Sequence, residues 1–158
     1  MMDAYHFKTT WKIESPIERV WDAIYEAEKW PEWWEYVISV REIRKGDAHD
    51  IGAIKEYKWG TKFFYSLVFQ SELIENKYCK LLRATAKGEL DGDGIWTFSE
   101  KKGITTVIYF WNVRTTKKWM QFLSPVLKPV FLINHNIVMN SGAIGLAKKL
   151  NARLISYK

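Results

Sequence analysis

The 158-residue chain has one cysteine, three histidines and four prolines, and no acidic residue after Glu100. A lone Cys79 excludes an internal disulfide and any cysteine metal cluster, and it fits a reducing compartment. No His/Asp/Glu spacing resembles a metal site, so neither a metal nor a cofactor is expected. The opening MMDAYHFKTTWK lacks an apolar signal core, so secretion is not expected and a cytoplasmic location is. There is no Gly-rich phosphate loop, nucleophile elbow or nucleic-acid module. The net charge of +6 therefore implies no nucleic-acid partner. No repeat, linker or low-complexity tract divides the chain, and one domain over 1–158 is expected.

Aromatic residues are abundant: 16% of the chain, with nine tryptophans inside a hydrophobic fraction of 47%. Such a composition disfavours disorder. Charge is unevenly spread. Residues 1–79 hold 11 Lys/Arg against 14 Asp/Glu, and residues 80–158 hold 13 against 4. The basic half is either a solubilising surface or an attraction for an anionic partner.

Tyr5 to Ile13 alternates apolar and polar residues, as a half-buried strand does. Ser15-Pro16-Ile17-Glu18 reads as a helix start, with Ser15 as N-cap, Pro16 at the first helical position and Glu18 closing a capping box. EKWPEWWEY predicts a short second helix carrying Trp30, Trp33 and Trp34. Six strands follow: Val37–Ile43, Ile54–Trp59, Phe63–Ile74, Lys80–Leu90, Gly94–Ser99 and Ile104–Thr115. The short turns between them imply antiparallel pairing.

Strand parity gives a candidate interior. Trp11, Tyr57, Trp59, Tyr65, Phe69, Leu82, Ala84, Ala86, Trp96, Tyr109 and Trp111 fall on inward faces, with almost no charge among them. A strand of small residues beside strands of large ones leaves room for a ligand, unless neighbouring aromatics fill it. The acids of GELDGDG read as a solvated hairpin.

From Thr115 onward the pattern is helical. Pro125 and Pro129 predict a short helix near Trp119–Ser124, a break, and a main helix from about Val130 to Ala152. Phe131, His135, Val138, Met139 and Gly142 share its inward face. A second stripe, Val130, Ile133, Ile137 and Ile144, lies well away from that face. His135 and the prolines argue against a membrane span.

WKIESPIERVWDAIYEAEKWPEWWEYVISV, GELDGDGIWTF, FWNVRTTKKWM and NHNIVMNSGAIGLAKKL together resemble the START-like (SRPBCC) superfamily, in its polyketide cyclase/dehydrase and lipid-transport branch. Ile137 and Asn140 depart from the tryptophan and arginine expected there in close relatives. The resemblance implies an α+β helix-grip fold. In it, a curved antiparallel sheet of about seven strands wraps around a long C-terminal helix, with two short helices after the first strand. It also implies a deep apolar cavity between sheet and helix, and supplies no catalytic motif.

Three functions follow as expectations. The first is a carrier or sensor of a small hydrophobic molecule (lipid, polyketide or isoprenoid-like), with Trp30, Trp33 and Trp34 gating the cavity. The second is a polyketide cyclase, aromatase or dehydratase, with His135 or Tyr109 moving a proton. The third is a homodimer joined through Val130, Ile133, Ile137 and Ile144. Lys117, Lys118 and Lys128 suggest transient contact with an anionic membrane surface near the cavity mouth. His135 also has a plainer reading, as a structural histidine.

Overall fold

The computed structural model describes residues 4–63 and 65–158. Strand β1 (Ala4–Glu14) leads into helix α1 (Ile17–Tyr25), a 3-10 turn (Ala27–Lys29) and helix α2 (Trp30–Trp33). Strands β2 (Val37–Arg44), β3 (Ile54–Trp59), β4 (Leu67–Lys77), β5 (Leu81–Gly88), β6 (Leu90–Lys101) and β7 (Ile104–Thr115) follow. Helix α3 (Lys118–Lys149) and strand β8 (Arg153–Tyr157) end the chain. The strands form one antiparallel sheet in the order β2-β3-β4-β5-β6-β7-β1-β8. This is the helix-grip architecture.

β3 and β7 have the expected bounds, and β1 buries Tyr5, Thr9, Trp11 and Ile13 as its alternation requires. Several details differ from expectation. β6 begins at Leu90, four residues before the expected Gly94, and ends at Lys101. β4 begins at Leu67, so Phe63 and Tyr65 precede it; Phe64 lies outside the described residues. The sheet gains an eighth strand because Asn151, at φ 49°, turns the chain sharply after α3. Arg153–Tyr157 then pairs with the free edge of β1.

The capping box does not form. The Ser15 carbonyl accepts the Thr105 hydroxyl at 2.7 Å, which holds Ser15 to the neighbouring strand. Its own hydroxyl is buried without a partner. Pro16 (ψ 143°) becomes the N-cap, and α1 starts one residue later than predicted.

The largest difference is in α3, which runs unbroken through Pro125 and Pro129. Both prolines are exposed. On the exposed side of a helix, water offsets the penalty that a buried proline would carry. The helix has the length and composition of a membrane span. Its buried side, including Met120, Phe131, Val138, Met139, Ala143 and Leu146, nevertheless packs in the protein core.

α2 crosses α3 at two glycines. The Trp34 indole N–H donates to the Val138 carbonyl at 2.8 Å. A Cβ at Gly142 would stand 2.4 Å from the Trp34 ring, and one at Gly145 would stand 1.7 Å from the Trp33 carbonyl oxygen. The glycines weaken an isolated helix by about 1 kcal/mol each. Here they permit a contact that no larger residue allows. Gly142 therefore serves neither sheet nor ligand; it receives the edge of Trp34.

Candidate functional site

The space between sheet and helices is divided into two chambers. The larger holds about 250 Å³ and the smaller about 100 Å³. Trp59, Phe69, Tyr109 and Trp111, from β3, β4 and β7, line both, so the two chambers adjoin at these side chains.

The larger chamber lies between the sheet and the α1–α2 segment. Its walls are Trp30, Tyr57, Trp96, Leu73 and Leu82, with a floor of Ala84, Ser71 and Gly94. Ala84 faces Leu73 on β4 and Gly94 on β6. The small residues are what keep this volume open. At Gly94 an added Cβ would approach the Tyr109 hydroxyl and the Trp111 ring at 2.9 Å. Around the rim stand Tyr25, Glu28, Glu42, Asp50 and Lys55. Lys55 donates to Glu28 at 2.9 Å, and the Tyr25 hydroxyl donates to Asp50. Burial, then the Asp50 contact, pushes the Tyr25 phenol up to about 12.

The rim is therefore acidic on balance. Lys117 stands away from it, paired with Glu89 at 3.1 Å, and neither Lys118 nor Lys128 lines the chamber. The expectation of basic residues around this mouth is corrected. The other acids of the GELDGDG stretch disperse likewise: Asp91 towards Arg114 and Asp93 towards Arg83.

The smaller chamber lies against α3. Asn134, His135, Val138 and Met139 come from the helix; Gly60, Thr61, Leu67 and Leu90 come from the sheet side. His135 stacks on Phe7 with ring centroids 3.7 Å apart, and both ring nitrogens are buried without a hydrogen-bond partner. The Trp59 indole N–H is buried and unpartnered as well. Among the described residues no protein group hydrogen-bonds the Tyr57 or Tyr109 hydroxyl. Burial raises the pKa of both phenols, Tyr109 well above its ordinary value. Buried polar atoms are nearly always satisfied. A group of open donors and acceptors around apolar chambers marks where water or a ligand's polar end would sit.

Of the residues predicted to bind ligand, Trp30, Tyr57, Trp59, Phe69, Leu82, Ala84, Trp96, Tyr109 and Trp111 line the larger chamber. His135, Val138 and Met139 line only the smaller one. Trp11, Trp33, Trp34, Tyr65, Ala86, Phe131 and Gly142 line neither. Trp34 is 1% exposed at the centre of an aromatic cluster, 4.9 Å from Trp59 and 5.4 Å from Trp11 between ring centroids. Trp33 packs on Trp34, so these two indoles belong to the core and only Trp30 reaches a chamber wall. Ala86 is covered by Phe69, Leu90 and Val113. Tyr65 and Phe131 pack with Tyr5 and Met120.

Parity reasoning missed Gly94, which shares a face with Trp96 and was legible in principle. The rim residues lie mostly in helix ends and loops, where no periodic signal exists.

His135 has a measurable consequence. Burial lowers its pKa from 6.5 to about 4, with the neighbouring Asn136 side chain opposing the shift. Between those values the unfolded chain binds a proton that the folded chain refuses. Stability from this site is complete above pH 6.5 and is lost as pH falls towards 4. The loss amounts to about 3 kcal/mol. Thermal melts of the natural chain and His135→Gln should therefore converge as pH falls from 7.5 to 4.5. Melts that stay parallel over that range would contradict a buried neutral imidazole.

No protein-family model and no curated protein sequence matches the chain. Solved structures do. The di-domain ARO/CYC BexL from the BE-7585A biosynthetic pathway aligns with a TM-score of 0.71 at 16% identity, covering 95% of this chain and 51% of that one. The chain thus spans about half of that di-domain protein, and likewise 50% of the di-domain ARO/CYC StfQ. Zhui aromatase/cyclase from Streptomyces sp. R1128 aligns at 0.70 with 10% identity, covering 93% and 96% of the two chains. Ara h 8.0201 aligns at 0.62 with 8% identity, covering 94% and 99%. These likenesses establish the helix-grip fold.

Proposed function

We propose that the chain binds a small hydrophobic molecule, lipid-, polyketide- or isoprenoid-like, in the two chambers and acts as its carrier or sensor. The observation that carries this reading is the pairing of apolar walls with buried unpartnered nitrogens at Trp59 and His135. The two volumes together reach the lower end of the ~300–1,000 Å³ typical of ligand pockets. Burial of roughly 300 Å² of apolar ligand surface at about 25 cal/mol per Å² gives on the order of 7 kcal/mol, near micromolar affinity before ordering costs.

The phenols supply orientation. Tyr109→Phe should weaken binding of 2-naphthol about fivefold, the worth of one neutral hydrogen bond, and leave naphthalene unchanged. Tryptophan quenching titrations read both. Equal losses for the two probes would mean that Tyr109 only packs.

A second reading, a cyclase, aromatase or dehydratase, draws on His135 and Tyr109 lining one chamber and on the named activity of the aromatase/cyclase neighbours. Protonation states make it the weaker reading. A general acid or base works best with a pKa near the operating pH. His135 sits at about 4, and Tyr109 is pushed well above its already high ordinary value. Both suit hydrogen bonding better than proton transfer. If the chain is an enzyme of this kind, turnover of a polyketide-like substrate should fall about 100-fold in a folded His135→Ala or Tyr109→Phe protein.

A further inference from the structure

The larger chamber is walled by aromatic rings where aliphatic side chains would serve a neutral ligand as well. Trp30, Tyr57, Trp59, Trp96, Tyr109 and Trp111 all line a volume of about 250 Å³. Their planes differ. Trp30 meets Tyr57 at 51° and both Trp59 and Trp96 at 68°, and Tyr109 stacks on Trp96 with centroids 4.0 Å apart. Rings set at steep angles around one small space make a box. The face of each ring is electron-rich, and a cation held among several rings is attracted by them, most strongly where water is excluded. The protein supplies no such cation itself. Among the described residues the cation–ring contacts are Lys8 over Phe110 and Lys128 over Tyr5, and neither ring lines the chamber.

Charge at the mouth has the matching sign. Glu28, Glu42 and Asp50 stand there with one base, Lys55, which is bound to Glu28 at 2.9 Å. Glu42 and Asp50 make no salt bridge among the described residues. The bases closest to Glu42 along β2 are engaged elsewhere: Arg41 with Glu56 at 2.8 Å and Arg44 with Glu72 at 2.7 Å. The acidic surplus is local, since the whole chain carries a net charge of +6. It also acts inside the chamber. Burial first, and then the charge of Glu28, raises the pKa of the Tyr57 phenol. A field that opposes a phenolate favours an ammonium.

We propose that the larger chamber selects an organic cation, a quaternary ammonium or protonated amine on an apolar body, over a neutral molecule of the same shape. Taking a charge out of water is costly unless the site replaces what water supplied. The rings and the carboxylates at the mouth do so together, and the small floor at Ala84 and Gly94 leaves the room. This rests on the chamber being a ligand site and narrows the ligand it takes.

The test compares phenyltrimethylammonium with tert-butylbenzene, which share size and shape and differ by one charge. Tryptophan quenching of the full chain gives both affinities. The cation should bind about tenfold more tightly or better. Glu42→Gln with Asp50→Asn should lower that ratio about threefold, and added salt should lower it in the same direction. Both side chains are exposed, so an unchanged melting temperature shows that the variant folds. Ala84→Phe should abolish binding of the cation. Equal or tighter binding of tert-butylbenzene would overturn the proposal and leave the chamber a site for neutral molecules. A ratio that the charge variant leaves unmoved, or cation binding that survives Ala84→Phe, would overturn it as well. So would binding of neither compound, and if naphthalene also fails to bind, the ligand site falls with it.

Discussion

Gly145→Ala should lower the melting temperature by roughly 6–12 °C, the equivalent of about 3 kcal/mol for a chain of this size. Helix propensity alone predicts the opposite sign, a gain of about 1 kcal/mol. The contact decides. The new Cβ would stand 1.7 Å from the Trp33 carbonyl oxygen, a backbone atom that moves only if α2 lifts away from α3. Lifting α2 would strain the Trp34 hydrogen bond to Val138 and unpack an indole that is 1% exposed. Gly142→Ala should destabilise in the same direction by less, because its Cβ meets a side chain 2.4 Å away, which can tilt. A melting temperature raised by a few degrees in Gly145→Ala would show that the crossing is looser than described.

Ala84→Phe should reduce affinity for naphthalene-like probes by about 100-fold or more while the protein stays folded. Ala84 forms the floor of the larger chamber opposite Gly94, below Tyr109 and Trp111. A phenyl ring there takes up space the ligand would occupy, and its own burial adds apolar contact. Overpacking of a filled core costs about 1–3 kcal/mol, but a chamber of about 250 Å³ has room for the ring. Stability should therefore hold or rise as binding disappears. That combination separates a filled site from a broken fold. Binding that survives Ala84→Phe would place the ligand elsewhere.

Much of the fold was legible in the sequence because the strands alternate cleanly. The parity of Tyr57, Trp59, Phe69, Leu82, Ala84, Trp96, Tyr109 and Trp111 put these wall residues of the larger chamber on the correct face. Parity reports which face a residue is on. It does not report what covers that face. Trp33 and Trp34 carry no periodic mark that distinguishes a gate from a wedge. Their role depends on a crossing with α3 more than 100 residues away, as the Trp34–Val138 separation of 104 shows. The glycines of NSGAIG were the available clue: two inward or near-inward glycines on a helix announce a close neighbour, and the neighbour was α2. Pro125 and Pro129 misled for a related reason. The cost of proline in a helix depends on whether the freed carbonyls reach water, and only the assembled helix tells which side is wet. Strand β8 is short and follows a helix end with no turn signal stronger than Asn151.

The division of the interior bears on function. A carrier needs a volume and a way to orient its cargo; a proton-transfer enzyme needs groups that titrate near its working pH. The chambers supply the first, with open polar atoms at Tyr109 and His135. Burial moves the pKa of both groups away from neutrality, which favours the carrier reading over proton transfer by these two side chains.

Native mass spectrometry of the chain after exposure to an apolar extract of its source cells tests ligand binding most directly. The expected result is one small hydrophobic molecule per chain, at an occupancy that saturates and is lost in Ala84→Phe. Bare protein at every extract concentration, or equal occupancy in the natural chain and Ala84→Phe, would contradict a ligand held in the larger chamber.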